Sequence, residues 1–181
     1  ALAGAIVAVL IALPLTFALT RGRNIQRSTP LLVVAMSTLL CPPMVLVFGW
    51  QHILGVHRDP YLLTIAVWAL WAWPIAGALL TASWSRRGQA AYEALLLDAS
   101  AGRAFAHSVT GVLRAPSVLC VFLLTAIFLN EYSVPHACGL TVYATELLGI
   151  ATSSSVATDT VLGSIPLVGT LLLLGAACLR G

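Results

Sequence analysis

Few side chains in this sequence of 181 residues are suited to chemistry, and they lie far apart. There are six acidic residues, four histidines and four cysteines. Neither a CxxC pair nor an HExxH spacing occurs among them. The cysteines are Cys41, Cys120, Cys138 and Cys178, and the histidines are His52, His57, His107 and His136. We therefore expect no metal site and no cofactor in this chain, and we expect the cysteines to act as small apolar packing residues.

The motifs of common enzymes are also missing from the sequence. It has neither a GxSxG nucleophile elbow nor the glycine-rich Walker A loop of ATPases. A hydroxyl in an apolar segment is a nucleophile only beside a base, and no base is apparent beside these hydroxyls. The hydroxyl residues concerned are Ser37, Thr38, Thr64 and Thr125. We expect no catalytic residues and no ATP hydrolysis by this chain, which leaves an intramembrane enzyme as the least favoured class.

The elements that hold these side chains are strongly apolar. Hydrophobic residues make up 60% of the chain and charged residues only 8%, about a third of the ~25% usual in soluble domains. A soluble domain of this size cannot keep so much apolar surface from water. A net charge of +3, carried by dispersed arginines, is too weak for a nucleic-acid-binding surface. The composition predicts an all-α membrane protein.

Five apolar stretches are about long enough to cross a bilayer as helices, which takes ~20 residues. They cover residues 1–20, 30–50, 61–84, 112–129 and 161–179. Tyr61 and Trp84 flank the third stretch, where we expect interfacial aromatic residues. The chain begins and ends beside apolar runs. We expect residues 1–181 to form a single transmembrane domain and to be a piece of a longer protein.

Arginines concentrate in alternate loops between these stretches. The loop after the first stretch has three arginines, and the loop after the third has four if Arg114 at the start of the fourth stretch is included. The loop after the second has only Arg58, and the loop after the fourth has none. Cytoplasmic loops of membrane proteins carry an excess of arginine and lysine. The pattern predicts that the first and third loops and Arg180 are cytoplasmic, and that the other loops face outward.

The third loop, residues 85–111, has the most specific pattern in the chain. Apolar residues recur there at the spacing i, i+3, i+4, i+7 of one helix face. These residues are Tyr92, Leu95, Leu96 and Ala99, and polar residues lie among them. We predict a short amphipathic helix over about residues 91–102, lying beside the membrane or against a partner protein.

This loop resembles the EAA loop of the membrane-spanning permease subunits of ABC importers. The family pattern is Glu-Ala-Ala, three residues, Gly, and about nine residues later a hydrophobic position shortly before Leu-Pro. Glu93 and Ala94 match the first two positions, and Ala99 stands where glycine is expected. Phe105 and Val109 match later positions of the pattern if one residue is deleted near Gly102. Pro116 stands one place later than the proline of the family pattern.

The resemblance implies a type I importer permease of about five transmembrane helices with a cytoplasmic coupling helix. ATP would be bound and hydrolysed by a separate ATPase subunit. The other implied partners are a second permease half (identical or fused), a solute-binding protein and the lipid bilayer of a bacterial inner membrane. The branch concerned imports iron(III), thiamine, sulfate, molybdate and similar small solutes. The residues implied to contact the ATPase are Glu93, Ala94, Leu97, Asp98, Ala99, Ser100, Gly102, Arg103 and Phe105.

Asn130 and Glu131, at the end of the fourth stretch, are candidates for the solute path. An ionised carboxylate inside hydrocarbon costs about 2.5–3.5 kcal/mol, so Glu131 should face water, a partner or the interface. A solute-path residue and an interfacial acid at a helix end are equally open interpretations. For the whole chain, the alternative to a permease is a non-catalytic membrane anchor or assembly protein, against which the charged third loop argues.

Overall fold

The computed structural model of this chain describes residues 1–21, 33–35, 37–54, 59–153 and 157–180, and every regular element in these ranges is helical. The prediction of an all-helical protein is confirmed for this part of the chain. The elements are α1 (Leu2–Arg21), α2 (Pro43–Leu54), α3 (Pro60–Leu95), α4 (Ala101–Ser108), a π-helical turn (Val109–Leu113), α5 (Arg114–Asn130), α6 (Ser133–Ala137), α7 (Tyr143–Ser153) and α8 (Ala157–Arg180).

Among the described residues, two helical stretches are long and apolar enough to cross a membrane. They are Pro60–Trp84, of 25 residues, and Ala101–Asn130, of 30 residues, and they contain the third and fourth predicted spans. Helices α1 and α8 contain the shorter apolar stretches Leu2–Thr16 and Val161–Thr170. The chain therefore has helices suited to a membrane, while a bundle of five spans stays a prediction.

The second predicted span, residues 30–50, is not one straight helix. Its first three residues lie outside the described ranges, and the helical segment Val33–Leu40 meets Pro43–Ile53 at an angle of 98°. The sequence explains the bend, because each proline at 42 and 43 lacks an N–H group and disfavours helical geometry in the residue before it. The interruption that Cys41, Pro42 and Pro43 indicate in the sequence is thus a sharp bend in the structure, and the pair forms either a broken span or a re-entrant loop.

Helices α1 and α3 share the most extensive contact in the described part of the chain. Residues four apart lie on one helix face, and both helices bury such a face. The buried residues are Gly4, Ala8, Ala12 and Thr16 on α1, and Thr64, Trp68, Ala72, Ala76, Leu80, Trp84, Gly88 and Tyr92 on α3. The small residues in these stripes allow two helix backbones to approach closely, as in the packing of membrane helices.

The rings of Trp68 and Phe128 join three helices at one end of the bundle. They stack with their centroids 4.8 Å apart and their planes 3° from parallel. A Cβ atom on Gly4 would lie 3.3 Å from Trp68 Cβ and 3.4 Å from Phe128 Cε2, so α1 is also in close contact here. The starts of α1 and α3 thus meet the end of α5, which is the arrangement that alternating crossings require.

Candidate functional site

The predicted third loop contains, in the structure, a corner between two long helical stretches. We name residues 93–105 the corner. Helix α3 continues past Trp84 to Leu95. A tight turn follows, in which the N–H groups of Leu97 and Asp98 each donate to the carbonyl three residues earlier at 3.3 Å. Ser100 is extended, with φ −62° and ψ 151°, and α4 begins directly after it. The predicted single helix over residues 91–102 is therefore wrong, because the chain reverses within it.

The residues of the turn explain the break. Aspartate and serine side chains compete with helical backbone hydrogen bonds and favour turns and helix starts. Ser100 holds the N-cap position, and its carbonyl accepts the first hydrogen bond of α4 from Ala104 N at 2.9 Å. The amphipathic helix of this region is α4, with Ala104 and Ser108 buried and Arg103 and His107 exposed. The apolar residues whose helical spacing led to this prediction, from Tyr92 to Ala99, thus belong partly to the end of α3 and partly to the turn.

The inner face of the corner is packed against the core. Tyr92, Ala104 and Ser108 are buried, and Phe105 packs partly buried against the same cluster. Ser108 Oγ donates to Ala104 O at 2.7 Å, which satisfies its hydroxyl within the helix. Helix α3 contacts both α4 and the π-helical turn. The corner is therefore supported by a base of buried residues on α3 and α4.

Trp84 extends this base along α3. It is only 1% exposed, so its side chain packs in the protein core, whereas Tyr61 is exposed. The position of both residues at a membrane interface stays a prediction. A Cβ atom on Gly88 would lie 2.5 Å from Trp84 Cδ2. The indole thus covers the backbone of the next helical turn. The every-fourth spacing of Trp84, Gly88 and Tyr92 is the sequence signal that could have revealed this face.

The outer face of the corner exposes apolar and charged side chains together. Leu97 is 86% exposed and Leu96 is 41% exposed. Glu93, Asp98 and Arg103 are exposed beside them in the chain. Gln89 Nε2 donates to Glu93 Oε1 at 2.7 Å, which orients that carboxylate. An apolar residue surrounded by polar ones is the usual layout of a protein–protein contact.

The residues that the family resemblance assigns to the ATPase contact all lie in this corner. Most are exposed, while Ala99 and Phe105 are half-buried. The exposed ones are Glu93, Ala94, Leu97, Asp98, Ser100, Gly102 and Arg103. The structure thus places the nine residues together in the corner, with seven of them exposed, and their contact with an ATPase stays a prediction.

A π-helical turn connects the corner to the apolar part of α5. Thr110 Oγ1 donates to Ala106 O at 3.0 Å and to His107 O at 3.1 Å within this region. Pro116, in the first turn of α5, has no N–H for the carbonyl of Val112. Short π-helical turns often occur inside helices at functional positions. The corner and the membrane-crossing helix therefore meet where the regular α-helical geometry changes.

Asn130 and Glu131 lie at the opposite end of α5 and are hydrogen-bonded within the chain. The Asn130 amide donates to the carbonyl four residues earlier at 2.9 Å. Glu131 Oε2 accepts from Trp68 Nε1 at 3.0 Å and from Val134 N at 3.2 Å. Glu131 Oε1 accepts from the Ser133 backbone N–H at 2.9 Å and from the Ser133 hydroxyl. Glu131 is thus an acid at a helix end with partners within the chain, and a role of Asn130 and Glu131 in a solute path stays a prediction.

Comparison with protein-family models, with curated proteins and with solved structures finds no match for this chain. Within the described ranges, no group of three His, Cys, Asp or Glu side chains is placed to hold a metal ion. The functional assignment therefore rests on the geometry of the corner and on the resemblance of its sequence to an EAA loop.

Proposed function

We propose that this chain is a transmembrane subunit of an ATP-driven importer of the ABC class, and that residues 93–105 couple it to a separate ATPase subunit. The observation that carries the proposal is the corner itself. It connects two helices suited to crossing a membrane, and Leu97 at its tip is 86% exposed. Its sequence is also the part of the chain that resembles the EAA loop.

Helix α3 has the length needed to transmit a movement from the corner into the membrane. It has 36 residues from Pro60 to Leu95, or ~54 Å at ~1.5 Å per residue. The hydrocarbon core of a bilayer is only ~30 Å thick, so the end of α3 reaches beyond it. The buried stripe from Thr64 to Tyr92 holds α3 against the core along this length. A displacement of the corner would therefore move α3 as a unit.

The exposed side chains of the corner suit a groove on the ATPase subunit. Burying a leucine side chain such as Leu97 contributes about 1.5–3 kcal/mol, and the charges of Glu93, Asp98 and Arg103 select the partner. ATP binding would bring two ATPase subunits together and shift the docked corner. The nucleotide chemistry belongs to the partner, and this chain supplies the coupling contact and part of the solute path.

The same proposal includes the remaining partners of such an importer. A second permease half, either another copy or a fused homologous half, would complete the solute path. A binding protein would deliver a small solute of the iron(III), thiamine, sulfate or molybdate class to the outer face of a bacterial inner membrane. Large apolar side chains exposed on α1, α5 and α8, such as Leu10, Leu119 and Leu172, suit lipid or a second half.

The hydroxyls considered above as nucleophiles support a permease over an intramembrane enzyme. Each donates to a helix carbonyl three or four residues earlier, at 2.7–2.8 Å: Ser37, Thr38, Thr64 and Thr125. A hydroxyl nucleophile instead needs a base as its hydrogen-bond acceptor. The four hydroxyls therefore have their hydrogen-bond acceptors in the backbone of their own helices.

The proposal is tested by isolating the full-length tagged protein from its native membrane in mild detergent. We expect an ATPase subunit with a Walker A motif to copurify in stoichiometric amount. Leu97→Asp and Glu93→Arg should each lower its recovery at least tenfold, since each places the wrong charge in the contact. Thr141→Asp, a charge added at an exposed position after α6, is the control and should leave recovery unchanged.

Absence of an ATPase from the wild-type preparation would contradict the proposal and favour the membrane-anchor alternative. Full recovery with both corner variants would leave an importer possible but would place the coupling contact elsewhere.

A further inference from the structure

The chain after α5 packs against α2 and α3, at the end of the bundle that holds Trp68 and Phe128. Residues 131–139, which we name the plug, contain the short helix α6 and the turn after it. Val134 and Pro135 are fully buried, and Val134 belongs to the same buried cluster as Trp68 and Phe128. Tyr132 on the same segment is 49% exposed. The plug thus inserts two apolar residues into the bundle and presents its other side outward.

Polar contacts hold the plug in place. The carboxylate of Glu131 accepts the N–H groups of Ser133 and Val134 at the start of α6, at 2.9 and 3.2 Å, and the indole N–H of Trp68 at 3.0 Å. Gln51 Nε2 donates to Ala137 O at 3.1 Å, which links the plug to α2. Hydrogen bonds to a charged carboxylate are stronger than those between neutral groups.

The plug ends in a Schellman turn. Gly139 N donates to His136 O at 2.9 Å and Leu140 N donates to Pro135 O at 2.8 Å, the two bonds that define this helix ending. Gly139 has φ +76°, which a glycine adopts without strain. The plug is therefore bounded by Glu131 on one side and by a glycine turn on the other.

We propose that the plug is a movable closure of this end of the bundle and that the Trp68–Glu131 hydrogen bond is its latch. A short segment with two buried apolar residues and a few side-chain hydrogen bonds opens at a lower free energy than the long packed helices. Opening would break the latch and withdraw Val134 from the cluster. That this closure is the outer gate of a solute path rests on the proposed function, whereas the closure and its latch do not.

Cys138, half-buried at the end of the plug, is a built-in reporter of opening. The full chain, with Cys41, Cys120 and Cys178 changed to serine, is placed in nanodiscs, where both membrane faces are accessible. The rate at which a membrane-impermeant maleimide labels Cys138 is then measured. Trp68→Phe keeps an aromatic ring beside Phe128 but removes the indole N–H. We expect labelling to become roughly tenfold faster, because losing a hydrogen bond to a charged group shifts such an equilibrium by at least one decade.

Trp71→Phe is the matched control, since Trp71 lies one turn further along the same helix and its buried Nε1 has no partner among the described residues. It should label at the wild-type rate. Glu131→Gln is a second test should Trp68→Phe fail to fold by circular dichroism, and it should also label faster. Equal rates in wild type and Trp68→Phe, or equal acceleration by Trp71→Phe, would overturn the latch. Neither result depends on an ATPase, so the plug and the proposed function can fail separately.

Discussion

Glycine at position 88 is required because an indole ring lies directly over it. A Cβ atom there would meet Trp84 Cδ2 at 2.5 Å and Cε3 at 2.6 Å. The ring is buried and cannot move without disturbing the core, and overpacking a core costs about 1–3 kcal/mol. We expect Gly88→Ala to lower the thermal unfolding midpoint of the protein in detergent, followed by circular dichroism.

Gly77→Ala is the control on the same helix, since nothing lies within 4 Å of a Cβ atom at that position. It should not lower the midpoint, because alanine has the higher helix propensity. A Gly88→Ala protein as stable as Gly77→Ala would show that the indole does not occupy this site.

The roles of single residues were only partly predictable, as Glu131 illustrates. Because Glu131 lies at the end of an apolar stretch, its carboxylate is expected to need hydrogen-bond partners. The partners themselves are Trp68, 63 residues earlier in the chain, and the start of a helix that only the folded backbone forms. Sequence spacing therefore indicated the need for partners at this carboxylate but could not choose between a solute and an indole N–H.

Helix α3 shows the limit of hydropathy as a guide to an element. The apolar stretch ends near Trp84, and the arginines at 86 and 87 led to the prediction of a loop from residue 85. The helix nevertheless continues to Leu95. Residues 89–95 are mostly strong helix formers such as Ala, Gln, Glu and Leu. Hydropathy reports where a helix can lie in lipid, whereas propensity and the buried stripe through Tyr92 decide where it ends.

The uninterrupted length of α3 is measurable as a distance. Spin labels at Leu62→Cys and Ala94→Cys, both exposed positions, should lie ~48 Å apart in a cysteine-free background, given ~1.5 Å of rise per residue. Pulsed electron paramagnetic resonance in nanodiscs reports this distance. A separation below ~40 Å would mean that the helix stops soon after Trp84. A Leu62→Cys and Ala78→Cys pair, inside the apolar part, is the control and should give ~24 Å.

The π-helical turn is an element that the sequence spacing did not predict. A π-helical turn holds more residues than an α-helical one, with hydrogen bonds from i to i+5 in place of i to i+4. The turn at Val109–Leu113 therefore rotates the faces of α5 relative to those of α4. The apolar residues of this region indicate a helix, but the wider turn inside it became visible only in the structure.

At the scale of the whole molecule, the corner and the plug lie at opposite ends of one helical stretch. Ala101–Asn130 has 30 residues, or ~45 Å of rise, which exceeds the ~30 Å of hydrocarbon. The corner carries Arg103 beside its exposed leucines, whereas the plug holds no arginine. Because cytoplasmic loops carry an excess of arginine, we predict that the corner is cytoplasmic and the plug outside. The course of the helix requires only that the two lie on opposite sides.

Site-specific labelling of intact spheroplasts tests this orientation. In a cysteine-free background, His136→Cys, an exposed position of the plug, should react with a membrane-impermeant maleimide added outside, because no barrier separates it from the reagent. Leu97→Cys, at the exposed tip of the corner, should react only after lysis. Each variant is the other's control, since both thiols are exposed and differ only in the side of the membrane. Labelling of both from outside would contradict a crossing between residues 101 and 130. A reversed pattern would preserve the crossing and place the corner away from any cytoplasmic ATPase, which would end the importer proposal.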